Sequence, residues 1–166
     1  LTPFSNFRPF ESLQSTDKMP YKNESSIEIA APPAKVREIF LNFSAYPEWH
    51  TDFIKGIEIQ DKDKTAQTLA DGDKLDVNIE NFKFIAEIKA NSEDLFSWQG
   101  PPVFTIAGLH RFHIEPTKDG AATIFTQSEE LKGLLAWMMS PSLLGKKMKA
   151  HFAEFNRDLK ARAEAS

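Results

Sequence analysis

The chain has 166 residues and a mass of 18.8 kDa, enough for one domain of ordinary size around one core. Hydrophobic residues make up 41% and charged residues 27%, a balance that excludes a disordered, collagen-like or low-complexity chain. Twenty Lys and Arg against 24 Asp and Glu leave a net charge of −4 with the basic residues scattered, so no electrostatic footprint for nucleic acid is present, and the absence of Cys removes disulfides, thiol nucleophiles and thiolate metal sites together.

The longest apolar run, Leu134 to Met139, is far short of the roughly 20 residues a membrane-spanning helix needs. Arg8, Glu11, Asp17 and Lys18 interrupt the first 20 residues, which leaves no uncharged stretch of signal-peptide length. A cytoplasmic protein is expected, with residues 1–24 as an N-terminal extension and residues 25–166 as the domain.

Ile27 and Ile29 alternate with Ser26 and Glu28, so a strand is predicted near 25–30, stopped by Pro32-Pro33. Val36, Ile39, Phe40 and Phe43 recur at spacings of three and four, which predicts a helix from Ala34 to about Asn42 that begins at the prolines. Pro47 ends that run, and a turn or short second helix fits Tyr46-Pro47-Glu48-Trp49. Four alternating segments follow, Phe53 to Gln60, Lys74 to Glu80, Asn81 to Ala90 and Leu95 to Gln99, and all read as antiparallel strands. In the third, Phe82, Phe84, Ala86 and Ile88 face one way and Lys83, Glu87 and Lys89 the other.

Ile106 to Pro116 and Ala122 to Leu131 are predicted to pair through Lys118-Asp119-Gly120-Ala121. With Asp119-Gly120 as a two-residue loop, paired positions sum to 239: Phe112 faces Gln127, Ile114 faces Phe125 and His110 faces Glu129. Ser140-Pro141 supplies an N-cap oxygen and a proline at the first helical position. Leu144, Met148, His151, Phe152, Phe155 and Leu159 then recur at helical spacing, so a long amphipathic helix closes the chain.

This order is an α+β layer arrangement. Its stretches Ile29-Ala30-Ala31-Pro32-Pro33-Ala34-Lys35-Val36, Tyr46-Pro47-Glu48-Trp49, Trp98-Gln99-Gly100, Gly108-Leu109-His110-Arg111-Phe112, Gln127 to Gly133 and Phe155 to Lys160 carry a resemblance. Over about residues 25–164 the chain resembles the START/Bet v 1-like (SRPBCC) superfamily, in its polyketide cyclase/dehydrase-like branch. The resemblance implies a helix-grip fold, in which a curved seven-stranded antiparallel sheet grips the C-terminal helix and leaves an internal cavity. Trp49-His50 stands where that branch is expected to carry Trp-Asn.

The cavity implied by the resemblance would be lined by Tyr46, Trp49, Phe53, Phe84, Trp98, Phe112, Phe125, Gln127, Met148, His151, Phe152 and Phe155, drawn from a chain with 14 Phe and 3 Trp. Each aromatic taken singly also fits plain core packing. The hairpin register brings His110 and Glu129 opposite one another on the inner face with Cβ atoms about 5 Å apart, within hydrogen-bonding reach. A carboxylate beside an imidazole can orient the ring and raise its basicity, which suits a general base for enolising or dehydrating a carbonyl substrate. A mutually satisfied buried pair is the competing reading.

No His-Glu-x-x-His spacing, phosphate-cradling Gly-rich loop or Gly-x-Ser-x-Gly elbow occurs, so neither a metal nor a cofactor is expected. The expected partner is a small hydrophobic ligand or substrate, aromatic or polyketide-like, bound by a monomer or homodimer. Three classes stay open at this point: a cofactor-independent cyclase, dehydratase or isomerase, a carrier or sensor of the same ligand, and a chaperone-regulating interaction protein of the same fold. Leu134 to Met139 is expected to act as a lid, a buried connector or a contact patch.

Overall fold

The structure, a computed structural model, describes residues 21–80, 82–102, 107–133, 136 and 145–165. The strands are β1 (Tyr21–Ile29), β2 (Ile54–Ile59), β3 (Lys74–Ile79), β4 (Phe82–Asn91), β5 (Leu95–Gln99), β6 (Ala107–Pro116) and β7 (Thr123–Lys132). The helices are α1 (Pro33–Leu41), α2 (Tyr46–Trp49) and α3 (Gly145–Glu164). The strands form one antiparallel sheet in the order β1-β7-β6-β5-β4-β3-β2, with bulges at Ile54/Gly56 and Ile88/Ala90. This is the helix-grip arrangement, with α3 laid along β1 and β7 and in contact with α1.

Local chemistry accounts for most boundaries. Pro32 is extended at the N-cap position of α1 and Pro33 opens the helix, where a missing amide costs nothing. Strand β1 begins at Tyr21, ahead of the start expected near 25, because Tyr21 to Glu24 find partners in Leu131 to Ser128 of β7. The predicted cap at Ser140-Pro141, Leu144 and most of the Leu134 to Met139 segment lie outside the described residues.

The β6–β7 register is the one expected, with His110 opposite Glu129 and Phe112 opposite Gln127, but the loop differs. Thr117 and Ala122 still pair, so the connection is the four residues Lys118 to Ala121. Asp119 Oδ1 accepts from the Thr117 hydroxyl at 2.7 Å and the Ala121 amide at 3.1 Å, and Gly120 takes a φ of +71° that favours glycine. Two- and four-residue loops centred on the same bond give the same register, which is why the pairing holds.

One half of the concave face is solid core. Phe40 of α1 meets Phe96, Phe112 and Phe125 with ring centroids 4.7–5.8 Å apart, and Phe155 of α3 closes on Phe112 and Phe125. Each buried phenyl contributes about 1.5–3 kcal/mol of transfer free energy. Phe82, expected on the dry face, is 48% exposed at the start of β4.

His50, which departs from the resembled pattern, is a fastener. It is 1% exposed; its Nε2 accepts the Phe53 and Ile54 amides at 3.2 and 3.1 Å, and its Nδ1 donates to Asp158 of α3 at 2.7 Å. One ring thus ties the start of β2 to the gripping helix. His50→Ala strands two amides and opens a cavity, so it should lower the unfolding free energy by about 2–4 kcal/mol in urea titration. A loss below about 1 kcal/mol would mean that water replaces the ring at no cost.

Candidate functional site

Register places one row of side chains across the concave face: Asn23 of β1, Glu129 of β7, His110 of β6, Trp98 of β5 and Ile88 of β4. The row lies beneath the N-terminal half of α3, whose Met148 meets Asn23 at one end and whose Phe152 meets His110 at the middle. Met148 Sδ accepts from Asn23 Nδ2 at 3.2 Å, and the Phe152 ring lies 4.8 Å from the His110 ring.

The expected His110–Glu129 hydrogen bond is not made. His110 Nε2 is instead 3.0 Å from Gln127 Oε1, and Gln127 Nε2 donates to Asn156 Oδ1 of α3 at 2.9 Å. Asn156 Nδ2 in turn donates to the Ser25 carbonyl at 3.1 Å. Glu129 leans the other way, over Gly108. A Cβ on Gly108 would stand 2.5 Å from Glu129 Oε1, so the carboxyl occupies the volume that a side chain there would need. Backbone opposition fixes which residues share a face, but not which way two long side chains turn.

The electrostatics follow from this parting. His110 is enclosed by Trp98 at 5.5 Å, Phe112 at 4.3 Å and Phe152, and burial lowers it from 6.5 to about 3, with the Gln127 bond offsetting only part. Its ring is therefore neutral across the physiological range, the reverse of the raised basicity expected of a carboxylate partner. Among the described residues nothing pairs with the Glu129 carboxyl, and desolvation pushes it up from 4.5 to about 7. Glu129 is the group in this row that changes charge near neutrality.

The other expected residues divide between core and rim. Tyr46 is fully buried with its hydroxyl donating to the Phe40 carbonyl at 2.6 Å, and Phe112, Phe125 and Phe155 belong to the packed rings. Trp49 packs on Tyr46 and Phe155, on the far side of those rings from His110. Strand parity and helical spacing report facing but not distance from the covered end.

At the rim, Phe53 stacks on His151 at 4.8 Å, His151 Nε2 is 2.8 Å from Glu80, and Phe84 stacks on the exposed Phe82. Sequence reasoning missed Asn23 and Asn156. Asn156 at 1% exposure amid the apolar stripe of α3 was the available signal, since a buried amide requires partners.

A separate cleft of about 470 Å³ lies between α1 and β2, bordered by Leu41, Phe43, Ile57, Glu58, Lys62 and Gln67. It is not the cavity expected beneath α3. Among the described residues no group of three His, Asp or Glu could hold a metal ion, and no helix is long and apolar enough to cross a membrane.

The sequence model of a family described as polyketide cyclase / dehydrase and lipid transport matches residues 21–164. No curated protein matches the chain. Among solved structures, the fold is similar to a START superfamily protein from Mycobacterium smegmatis, at 21% identity and a TM-score of 0.64 over 87% of this chain and 97% of that one. It is similar to norcoclaurine synthase from Thalictrum flavum, solved with dopamine and hydroxybenzaldehyde, at 10% identity and a TM-score of 0.63 over 96% and 95%. An aromatase/cyclase from Streptomyces sp. R1128 aligns at 14% identity and a TM-score of 0.59 over 87% and 94%. At these identities the structures share the fold.

The site has a pH signature. Below pH 4.5 the Glu129 carboxyl is protonated in both folded and unfolded chains; between 4.5 and about 7 only the unfolded chain ionises, and above 7 the full penalty is present. That penalty is roughly 3 kcal/mol. Glu129→Gln should therefore raise stability by up to that amount at about pH 8 and change it little at about pH 4, measured by denaturant titration. Equal effects at both values would place the carboxyl in water.

Proposed function

Because the chain belongs to the polyketide cyclase/dehydrase and lipid transport family, we propose that it binds a small, uncharged, flat hydrophobic molecule, aromatic or polyketide-like, between the polar row and α3. Glu129 would carry the proton transfers of its cofactor-independent cyclisation, dehydration or isomerisation. The supporting observation is the Glu129 carboxyl, without a partner among the described residues and with its pKa raised to about 7, beside a neutral His110. A group that titrates near the working pH is the efficient proton donor and acceptor.

The chemistry follows from the two forms of one carboxyl. As carboxylate, Glu129 takes the proton from the carbon next to a substrate carbonyl. As acid, it returns that proton to a departing hydroxyl, which leaves as water when the double bond forms. His110, neutral down to about pH 3, is a weak base, so its part is to accept a hydrogen bond from a substrate hydroxyl or enol and fix the pose. Trp98, Phe84 and Phe152 supply the apolar walls that such a molecule requires.

Native mass spectrometry of co-purifying ligand identifies the substrate, and flat aromatic ketones that carry a phenol hydroxyl serve as probes. Their titration should change Trp98 emission saturably, and Trp98→Phe should abolish that response. With the co-purified compound, Glu129→Gln should lower turnover by about 10²–10⁴-fold while binding stays within a few-fold. Gly108→Ala, which displaces the carboxyl rather than removing it, should reproduce much of that loss. Release of the same compound unchanged by wild-type protein would identify a carrier and refute the catalytic part.

A further inference from the structure

The chain of hydrogen bonds behind His110 has one end whose polarity is beyond dispute. The Ser25 carbonyl can only accept, so the Asn156 atom facing it at 3.1 Å is the amide nitrogen, and Asn156 Oδ1 then faces Gln127. An oxygen there requires the Gln127 nitrogen opposite it at 2.9 Å, which turns Gln127 Oε1 toward His110 at 3.0 Å. That oxygen also only accepts. The Nε2 atom must therefore carry the ring proton, and Nδ1 is left with a lone pair.

Each link is enclosed. Asn156 is 1% exposed, Gln127 is fully buried and His110 is 6% exposed, so water cannot compensate for a reversed link. Reversal would set two lone pairs, or two N–H groups, face to face in an apolar interior. A buried mismatch of that kind biases the equilibrium on the order of tenfold or more. Among the described residues no donor reaches Nδ1, so nothing else competes to set the ring.

We propose that Asn156 is a positioning residue that fixes the tautomer of His110 through Gln127, so that Nδ1 is the acceptor His110 offers to a bound molecule. Its functional weight rests on the ligand reading of the polar row, whereas the tautomer itself does not. The proposal assigns a role to a polar residue in the middle of an otherwise apolar helix face, where core packing alone would be better served by Leu. It also commits the site to ligands with a donor: a hydroxyl, phenol or enol can meet Nδ1, and a bare ketone oxygen cannot.

The test records protonation directly. In protein labelled with ¹⁵N-histidine, the His110 signal, assigned by its loss in His110→Gln, should show a protonated Nε2 and an unprotonated Nδ1 without any ligand. Asn156→Leu frees the Gln127 amide to turn, so the Nε2-protonated fraction should fall several-fold and a mixture of tautomers appear. Asn156→Asp, whose carboxyl still accepts from Gln127, should retain the wild-type pattern. A merely structural Asn156 would lower stability in both variants and leave the pattern unchanged.

A wild-type ring protonated on Nδ1, or a folded Asn156→Leu protein with the wild-type pattern, would overturn the proposal. If Asn156→Leu does not fold, Gln127→Met removes the accepting oxygen and is held to the same expectation. Failure of the ligand reading appears separately, as a flat Trp98 titration in protein whose tautomer is as expected.

Discussion

A helix about 10 Å across has to cover the concave face of a sheet whose seven strands, at about 4.8 Å spacing, run roughly 29 Å from first to last. It cannot do so alone. The sheet curves around it, and α1 with its following turn fills one end with Phe40 and Phe43, while the N-terminal half of α3 covers the other. The polar row sits there. Its cover of Met148 and Phe152, together with the rings that enclose His110, is the origin of the unusual properties of the site.

That location makes polarity costly and therefore informative. A carboxyl with no partner among the described residues and an imidazole driven down to about 3 are both penalised in the folded state, and a core made only for stability would replace them with Leu or Phe. The slopes they impose on stability oppose each other between pH 4.5 and 6.5, because there the unfolded chain binds the extra proton at His110 and the folded chain binds it at Glu129. The two groups are tuned by desolvation more than by one another. Gly108 completes the arrangement by leaving the space into which Glu129 turns.

The strands and the β6–β7 pairing were legible in the sequence because each rests on a strong local rule. Alternation in 82–90, the Asp119-Gly120 turn signal and the matching apolar parities of His110-Phe112-Ile114 and Phe125-Gln127-Glu129 leave one register that buries both faces correctly. Which member of the row touches which was not legible. Gln127 wins His110 because Asn156 arrives from α3 to hold it, and Glu129 loses because Gly108 admits it, so both outcomes depend on side chains brought together only by the fold. Tyr46 and Trp49 show the same limit, since their short helix delivers them to the far side of Phe155. His50 shows the converse: a departure from a familiar pattern became a fastener through two backbone amides and one helix carboxylate.

The central claim is that the Glu129 carboxyl, which has no partner among the described residues, titrates near neutrality. Carbon-13 NMR of protein labelled at the glutamate side-chain carboxyl, with the Glu129 signal assigned by its loss in Glu129→Gln, measures this directly. The account predicts a midpoint near pH 7 that moves when the co-purified ligand or a hydroxylated aromatic probe is added. A Glu129 midpoint near 4.5, unmoved by ligand, would contradict it.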